Sequence, residues 1–420
     1  MSDKGGMMSG IETTVEPGDV GLDAERLERI TAHFDRAYVE TGKLAGWLAT
    51  VSRGGEVAWV GSGGHRDREA AKPMTNDTIF RIYSMTKPIT QVAAMALWEQ
   101  GLFELTDEIA PIIGCFDNPR VFAGGTEHAP LTVPSHEPIR IWHLMSHTAG
   151  LTYGFQYTHT VDALYRKAGY EWGSPPGVDL AGACEIWAAQ PLIFEPGTSW
   201  NYSVATDVLG RVIECVTGES LDVALKRLVL DPLGMTDTAF FAPEADHDRV
   251  AQLYIPDAAH NMAAFPVPDM GKGALNAPHT LSGGGGLVST ARDYKRFTGM
   301  LLGGGELEGV RILGPRTIEY MTRNHLPGDV DLETMAEDTF SETAYAGVGF
   351  GLGFAVVTDS RKSRVPTTEG SFSWGGAAST AFWVDPQEAL EISFFTQLLP
   401  SGTHPLRSQL SQLVYQSIVE

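Results

Sequence analysis

Cysteine is scarce in this 420-residue chain: Cys115, Cys184 and Cys215 make an odd count with no C-x-x-C pair. That excludes a disulfide framework and zinc-finger spacing. Positive charge is also short, with 30 Lys+Arg against 52 Asp+Glu and a formal net charge of -22. Nucleic acid and anionic membrane surfaces would both repel such a chain, so neither is expected as a partner. No apolar run approaches the roughly 18 residues that a membrane span requires. The opening stretch, MSDKGGMMSGIETTVEPGD, lacks the basic segment followed by an apolar run of a secretory signal. The sequence therefore predicts a soluble cytoplasmic protein. It leaves the oligomeric state open. Internal repeats and low-complexity tracts are absent as well, which excludes a solenoid or an array.

What is present has the composition of a large globular protein, 43% hydrophobic and 20% charged. Residues 1–20, polar and Gly-rich, read as a flexible arm. Helical spacing runs over 24–42 through Leu27, Ile30, Phe34, Ala37 and Tyr38. "WLATVSRGGEVAWVG" predicts two strands about Gly54-Gly55. From about 105 to 280 the strand signal weakens, and helical patches alternate with Pro/Gly-rich loops such as 111–140. The best helix there is "VATDVLGRVIECVTG". After 280, "STARDYKRFTGMLL" predicts a helix, "GVGFGLGFAVV" (347–357) reads as a strand, "STAFWVDPQEALEISFFTQ" as a hairpin and 404–418 as a closing helix. Strands at both ends and helices between them predict an α+β fold, with an antiparallel sheet built from both termini and flanked by helices. The division expected is an α/β lobe from 21–104 and 281–420, and a mainly helical lobe from 105–280, forming one catalytic unit.

The chemistry centres on "FRIYSMTKPIT". Ser84 and Lys87 lie three apart, which places both side chains on one face at the head of an apolar helix. A lysine held near a helix N-terminus among Ile82, Tyr83 and Ile89 has its ammonium form disfavoured by desolvation and by the helix field. It can then accept the serine proton, and a serine hydroxyl is inert until some base does so. "EPGTSWNYSVATD" sets Tyr202 between a Pro-Gly turn and a helix, where a phenol can face a cleft and relay protons. "SFSWGGAAST" brings Trp374-Gly375-Gly376 to the start of a strand, and two glycines let the backbone approach a ligand. The Ala377 and Ser84 N–H groups could then form an oxyanion hole.

In this order, SxxK, then a tyrosine motif, then a Gly-containing strand, the chain resembles the class C β-lactamases and penicillin-binding proteins. More closely, "YSMTKPIT", "HLMSHTAGL" (143–151), "FEPGTSWNYS", "LDPLGMTDTAF", "GGGGLVSTARDYKRF" and "WGG" resemble the family VIII carboxylesterases. The resemblance runs from about Gly21 to Val419. It implies the β-lactamase/transpeptidase-like fold, Ser84 as nucleophile, Lys87 and Tyr202 as proton-handling partners, and Trp374, Gly375, Gly376 and Ala377 around the acyl group. Which of Lys87 and Tyr202 is the primary base stays open.

Two departures rank the activities. The β-lactamase Tyr-x-Asn is here Tyr202-Ser203-Val204, and the Lys-Thr-Gly triplet is Trp374-Gly375-Gly376. An amide and a cation that would hold a β-lactam are replaced, which favours a neutral, apolar acyl ester. The expected function is a serine carboxylesterase acting on small-molecule esters of short to medium acyl chain, with no cofactor. The alternatives are a β-lactamase or D-alanyl-peptidase, an acyltransferase on the same scaffold, and a non-catalytic binding protein. His143 and His147 have metal-binding spacing on an expected helix, but no HExxH glutamate accompanies them, so no metal is expected. Gly283–Gly286 lacks the ending of a phosphate loop and is expected to let a loop pass close beside the site.

Overall fold

The computed structural model describes residues 10–171, 173–257, 262–265, 273–337 and 340–420. Its frame is an eight-stranded antiparallel sheet. The strands are β1 (Gly46–Arg53), β2 (Glu56–Asp67), β3 (Lys72–Pro73), β4 (Val348–Phe350), β5 (Ala355–Val357), β6 (Phe372–Gly376), β7 (Thr380–Asp385) and β8 (Leu390–Phe395), in the order β4-β5-β6-β7-β8-β1-β2-β3. The two chain ends meet where β1 pairs with β8, Leu48 opposite Phe395 and Arg53 opposite Leu390. Gly54 and Gly55 turn β1 into β2 with φ of 63° and 89°, values open to glycine without steric cost.

Side chains alternate along β1. Trp47, Ala49 and Val51 join one apolar cluster, while Leu48 belongs to the other. Both faces are covered, which is why β1 is buried along nearly its whole length. The outer face packs on α1 (Ala24–Phe34) and α8 (Leu406–Tyr415), through Leu27, Ile30, Phe34, Leu406, Leu410 and Val414. The inner face packs on α2 (Thr86–Glu99), buried from Thr86 to Leu97, and on α7 (Ala291–Leu302). Beyond α2 lie α3 (Ile141–Met145), α4 (Thr160–Lys167), α5 (Leu180–Ala188) and α6 (Ala205–Thr217). No helix among the described residues is long and apolar enough to cross a membrane.

Several expectations change. Within 10–20 the arm is docked, not loose: Ile11 is buried, Asn76 Nδ2 donates to its carbonyl at 3.0 Å, and the Thr14 N–H donates to Val57 O at 2.8 Å. Residues 1–9 of that arm lie outside the described residues. The loops expected at 111–140 include an antiparallel hairpin, Arg120–Thr126 with Ala129–Pro134. The single strand expected over 347–357 is instead two, β4 and β5, folded back on each other. Gly353 makes the turn at φ 94°, where a Cβ would come within 2.4 Å of Gln91 Cγ. His147 is not on a helix with His143: α3 ends at Met145, and His147 adopts φ 57°. The two histidines therefore do not share a helical face.

Candidate active site

Ser84 does not sit on the first turn of α2. It lies in a 3₁₀ turn, Tyr83–Met85, that leads into the helix, with Tyr83 held at φ 42°. Pro88 withholds the N–H that an α-helix would offer to the Ser84 carbonyl, and the Thr86 N–H serves that carbonyl instead. A left-handed residue just before Ser84 is costly, and such strain concentrates at functional sites. The turn keeps Ser84 and Lys87 within reach. Lys87 Nζ donates to Ser84 Oγ at 3.3 Å, to Tyr153 OH at 3.0 Å and to Gly284 O at 2.7 Å. Tyr202 OH donates to Ser84 Oγ at 2.5 Å. Ser84, Lys87 and Tyr202 are buried, with Ser84 8% exposed and Lys87 1%, and Tyr153 is partly so.

Burial pulls the Lys87 pKa down to about 8, against the opposing charges of Asp207 and Glu342. Roughly a tenth to a fifth of the amine is thus neutral near physiological pH, far more than for a free lysine. Of the groups around the neutral nitrogen, the Gly284 carbonyl can only accept, so the lone pair is left for a hydroxyl proton. Burial drives the Tyr202 phenol the other way, well above its ordinary value, and the Glu342 charge adds to the rise. Its contacts with Ser84 and the Trp374 indole pull back only in part. The indole Nε1 faces the phenol but stops short of a hydrogen bond. Burial thus favours the protonated phenol over phenolate. The Lys87 Nζ stands 4.5 Å over the Tyr202 ring, a cation–π position that favours whatever ammonium forms.

Aromatic rings hold Tyr202 in place: His147 at 5.1 Å, Tyr153 at 5.3 Å and Trp374 at 5.4 Å, all edge-on. His147 is buried, and burial followed by the Lys87 charge holds its pKa well below the ordinary imidazole value. His143 is likewise pushed down to about 4, chiefly by burial and further by Arg140. Its Nδ1 accepts the Arg140 N–H at 3.0 Å, as part of a helix cap. Among the described residues no group of three His, Cys, Asp or Glu side chains has metal-binding geometry.

The glycine run at 283–286 passes directly beside this centre. A Cβ on Gly284 would lie 2.5 Å from Asp207 Oδ2, and one on Gly283 would lie 2.9 Å from Thr206 O. Asp207, in the first turn of α6, accepts from Gly284 N at 3.0 Å and from Ser282 Oγ at 2.5 Å. Burial raises its pKa, and Lys87 and those donors oppose the rise. The carboxylate thus holds the N–H of Gly284, the residue whose carbonyl accepts from Lys87.

At the far side stands the end of β6. Gly376 has no room for a side chain: a Cβ would lie 2.3 Å from Ile82 O, so the strand end abuts the turn carrying Ser84. Ala377 and Tyr83 both pack against the small cluster of Leu253, Ala378 and Leu399. The N–H groups of Ser84 and Ala377 donate to no acceptor among the described residues. The structure brings Ser84, Lys87, Tyr202, Trp374, Gly376 and Ala377 together on the inner face. Gly375, expected beside the acyl group, faces the other way, onto Arg407 of α8, where a Cβ would come within 2.1 Å of Nη2. Sequence reasoning missed Tyr153 and Asp207. Tyr153 stands two residues beyond "HLMSHTAGL" and Asp207 closes the quoted "EPGTSWNYSVATD", so neither carried a chemical signal of its own.

A family model described as Beta-lactamase matches residues 31–416. The chain is 35% identical over 368 residues to Protein Rv1367c of Mycobacterium tuberculosis, an alignment that covers 87% of this chain and 88% of that one. It is 32% identical over 422 aligned positions to Esterase EstB of Burkholderia gladioli, covering 96% and 98%. Among solved structures, EstCE1, a hydrolase with promiscuous acyltransferase activity, matches with a TM-score of 0.79 at 29% identity, over 93% of this chain and 99% of that one.

Proposed function

The chain belongs to the β-lactamase family, and from that membership we propose that it is a serine carboxylesterase working through an acyl-enzyme on Ser84. The observation that carries the reading is one oxygen in two contacts: Ser84 Oγ receives the Tyr202 phenol at 2.5 Å and lies 3.3 Å from the Lys87 amine. The neutral amine takes the Ser84 proton as Oγ bonds to the ester carbon. Lys87 is the primary base, because the Tyr202 phenol holds its own proton in the resting site. The carbonyl oxygen, now negative, is received by the Ser84 and Ala377 N–H groups. As the ester C–O bond breaks, Tyr202 protonates the departing alkoxide and the Lys87 ammonium restores the phenol. Water then attacks the acyl carbon along the reverse path and releases the acid with Ser84 re-protonated.

Support for esters over β-lactams comes from Tyr202-Ser203-Val204. No asparagine follows the tyrosine, and the one before it, Asn201, donates through Nδ2 to Leu151 O at 2.9 Å. A second reading, acyl transfer to an alcohol, is supported by the activity named for EstCE1. A panel of p-nitrophenyl esters of increasing chain length, with nitrocefin beside it, tests the proposal. Turnover of the esters should exceed that of nitrocefin, and Ser84→Ala should reduce it by at least about 10⁴-fold. A preference for nitrocefin, or full activity in Ser84→Ala, would overturn it. Adding a primary alcohol separates transfer from hydrolysis by the yield of the new ester.

A further inference from the structure

Arg407, on α8 at the opposite face of the sheet, has no part in the chemistry above, yet its guanidinium ends on the peptide that supplies the second oxyanion donor. Arg407 Nη2 donates to Gly376 O at 3.3 Å and to Thr380 O at 3.0 Å. Gly376 O and the Ala377 N–H are the two ends of one peptide group. The same carbonyl also receives the Ser379 N–H at 2.9 Å. A carbonyl that accepts from a cation and from an amide is polarised, and polarisation passes through the peptide to make its N–H a stronger donor.

The path to that carbonyl is built. Gly375 clears the space, since a Cβ there would overlap the guanidinium, 2.1 Å from Nη2 and 2.3 Å from Cζ. Glu342 then anchors the far side. Its Oε2 accepts from Arg407 Nη2 at 2.5 Å and from Ser401 Oγ at 2.9 Å, and its main-chain carbonyl accepts from Arg407 Nη1. The Glu342 side chain has no solvent exposure and Arg407 retains about a quarter of its own, so this is an inner ion pair and not a surface one. The glycine that looked like room for a ligand is room for an arginine.

We propose that Arg407, oriented by Glu342, is a positioning residue that fixes and polarises the Gly376–Ala377 peptide so that the Ala377 N–H receives the oxyanion. This rests on the reading of Ala377 as an oxyanion donor in a Ser84 acyl-enzyme. The role predicts a loss confined to the tetrahedral state. Deleting a complete oxyanion donor costs about 10²–10³ in kcat, so weakening one should cost about tenfold.

The test compares wild type, Arg407→Lys, Arg407→Ala and Gly375→Ala for kcat, KM and the inhibition constant of an alkylboronic acid, which forms a reversible tetrahedral adduct on serine. A fluorophosphonate label on Ser84 serves as the control. The expected result is a fall of about tenfold in kcat, a matching loss of boronate affinity, little change in KM, and recovery of Arg407→Ala on adding guanidinium ion. Unchanged boronate affinity in labelled, folded variants would overturn the inference, even if they melt earlier. Should Arg407→Ala fail to fold, the lysine and Gly375→Ala variants decide by the same two numbers. Failure of wild type itself to label at Ser84 overturns the hydrolase reading, whereas labelling with unaltered inhibition overturns this inference alone.

Discussion

The two faces of the central sheet bury tryptophans in opposite ways. On the outer face, Trp47 Nε1 donates to Asp35 at 3.0 Å and Trp59 Nε1 to Glu28 at 3.0 Å, and the Tyr38 hydroxyl reaches Gln409 at 2.6 Å. On the inner face, around Tyr202, the indole nitrogens of Trp200 and Trp374 and the Nε2 of His147 have no partner among the described residues. Each orphaned donor costs stability, about 1–3 kcal/mol when buried. The outer face is thus arranged for stability. The inner face tolerates unmet polar groups around a lysine that is itself pulled down to about 8. The difference teaches where the molecule concentrates its destabilising groups: around Tyr202, and not under α1 and α8.

That contrast can be broken most sharply at Lys87. Lys87→Met should lower kcat by about 10²–10⁴-fold, yet raise the melting temperature, because a desolvated amine is replaced by an apolar chain of similar length. A lowered melting temperature would show that the inner face is not strained by this group. On the outer face, Phe34→Ala should cost about 3–5 kcal/mol in denaturant unfolding while leaving kcat/KM of the folded protein unchanged. A drop in kcat/KM would mean that the faces are coupled.

The pH dependence sharpens the same point. Activity needs the unprotonated amine, so kcat/KM should climb about tenfold per pH unit and level off near 8, where Lys87 titrates. The sign for stability follows. The folded pKa lies below that of a free lysine, so between about 8 and 10.5 the unfolded chain holds the extra proton. This group therefore disfavours folding at neutral pH, and the penalty fades as pH rises through that window. The smallest effect separates the indoles. Trp47→Phe should cost about 1 kcal/mol, since Asp35 loses its donor, whereas Trp374→Phe should be within about 0.5 kcal/mol of wild type, because relief of the orphaned donor offsets the lost indole packing. Calorimetry on the pair checks it.

What could be read from the sequence was local. Ser84, Lys87 and Tyr202 each carry a chemical type and a spacing along one segment, and the β1–β2 turn announces itself through two adjacent glycines. Tyr153 and Asp207 acquire their roles only because α6 and the 283–284 backbone converge on Lys87, a meeting that no local pattern records. The 120–134 hairpin hid behind Pro130 and Pro134, which read as loop yet are tolerated on an exposed two-stranded ribbon. Over 347–357 the alternating glycines imitated a strand period, while the fold uses Gly353 to reverse direction beside Gln91. Gly375 lies in its expected strand, and its Cα-H side is packed against Arg407, a neighbour that sequence alone does not show.

The pairing of β1 with β8 carries a consequence for biosynthesis. Ser84 emerges early, but the strand end that abuts its turn is translated about 290 residues later, and Arg407, which donates to Gly376 O, later still. A nascent or truncated polypeptide thus holds Ser84 without the strand end that packs against its turn. Only a finished chain can close the sheet, and closing contacts of such long sequence separation makes for slow folding.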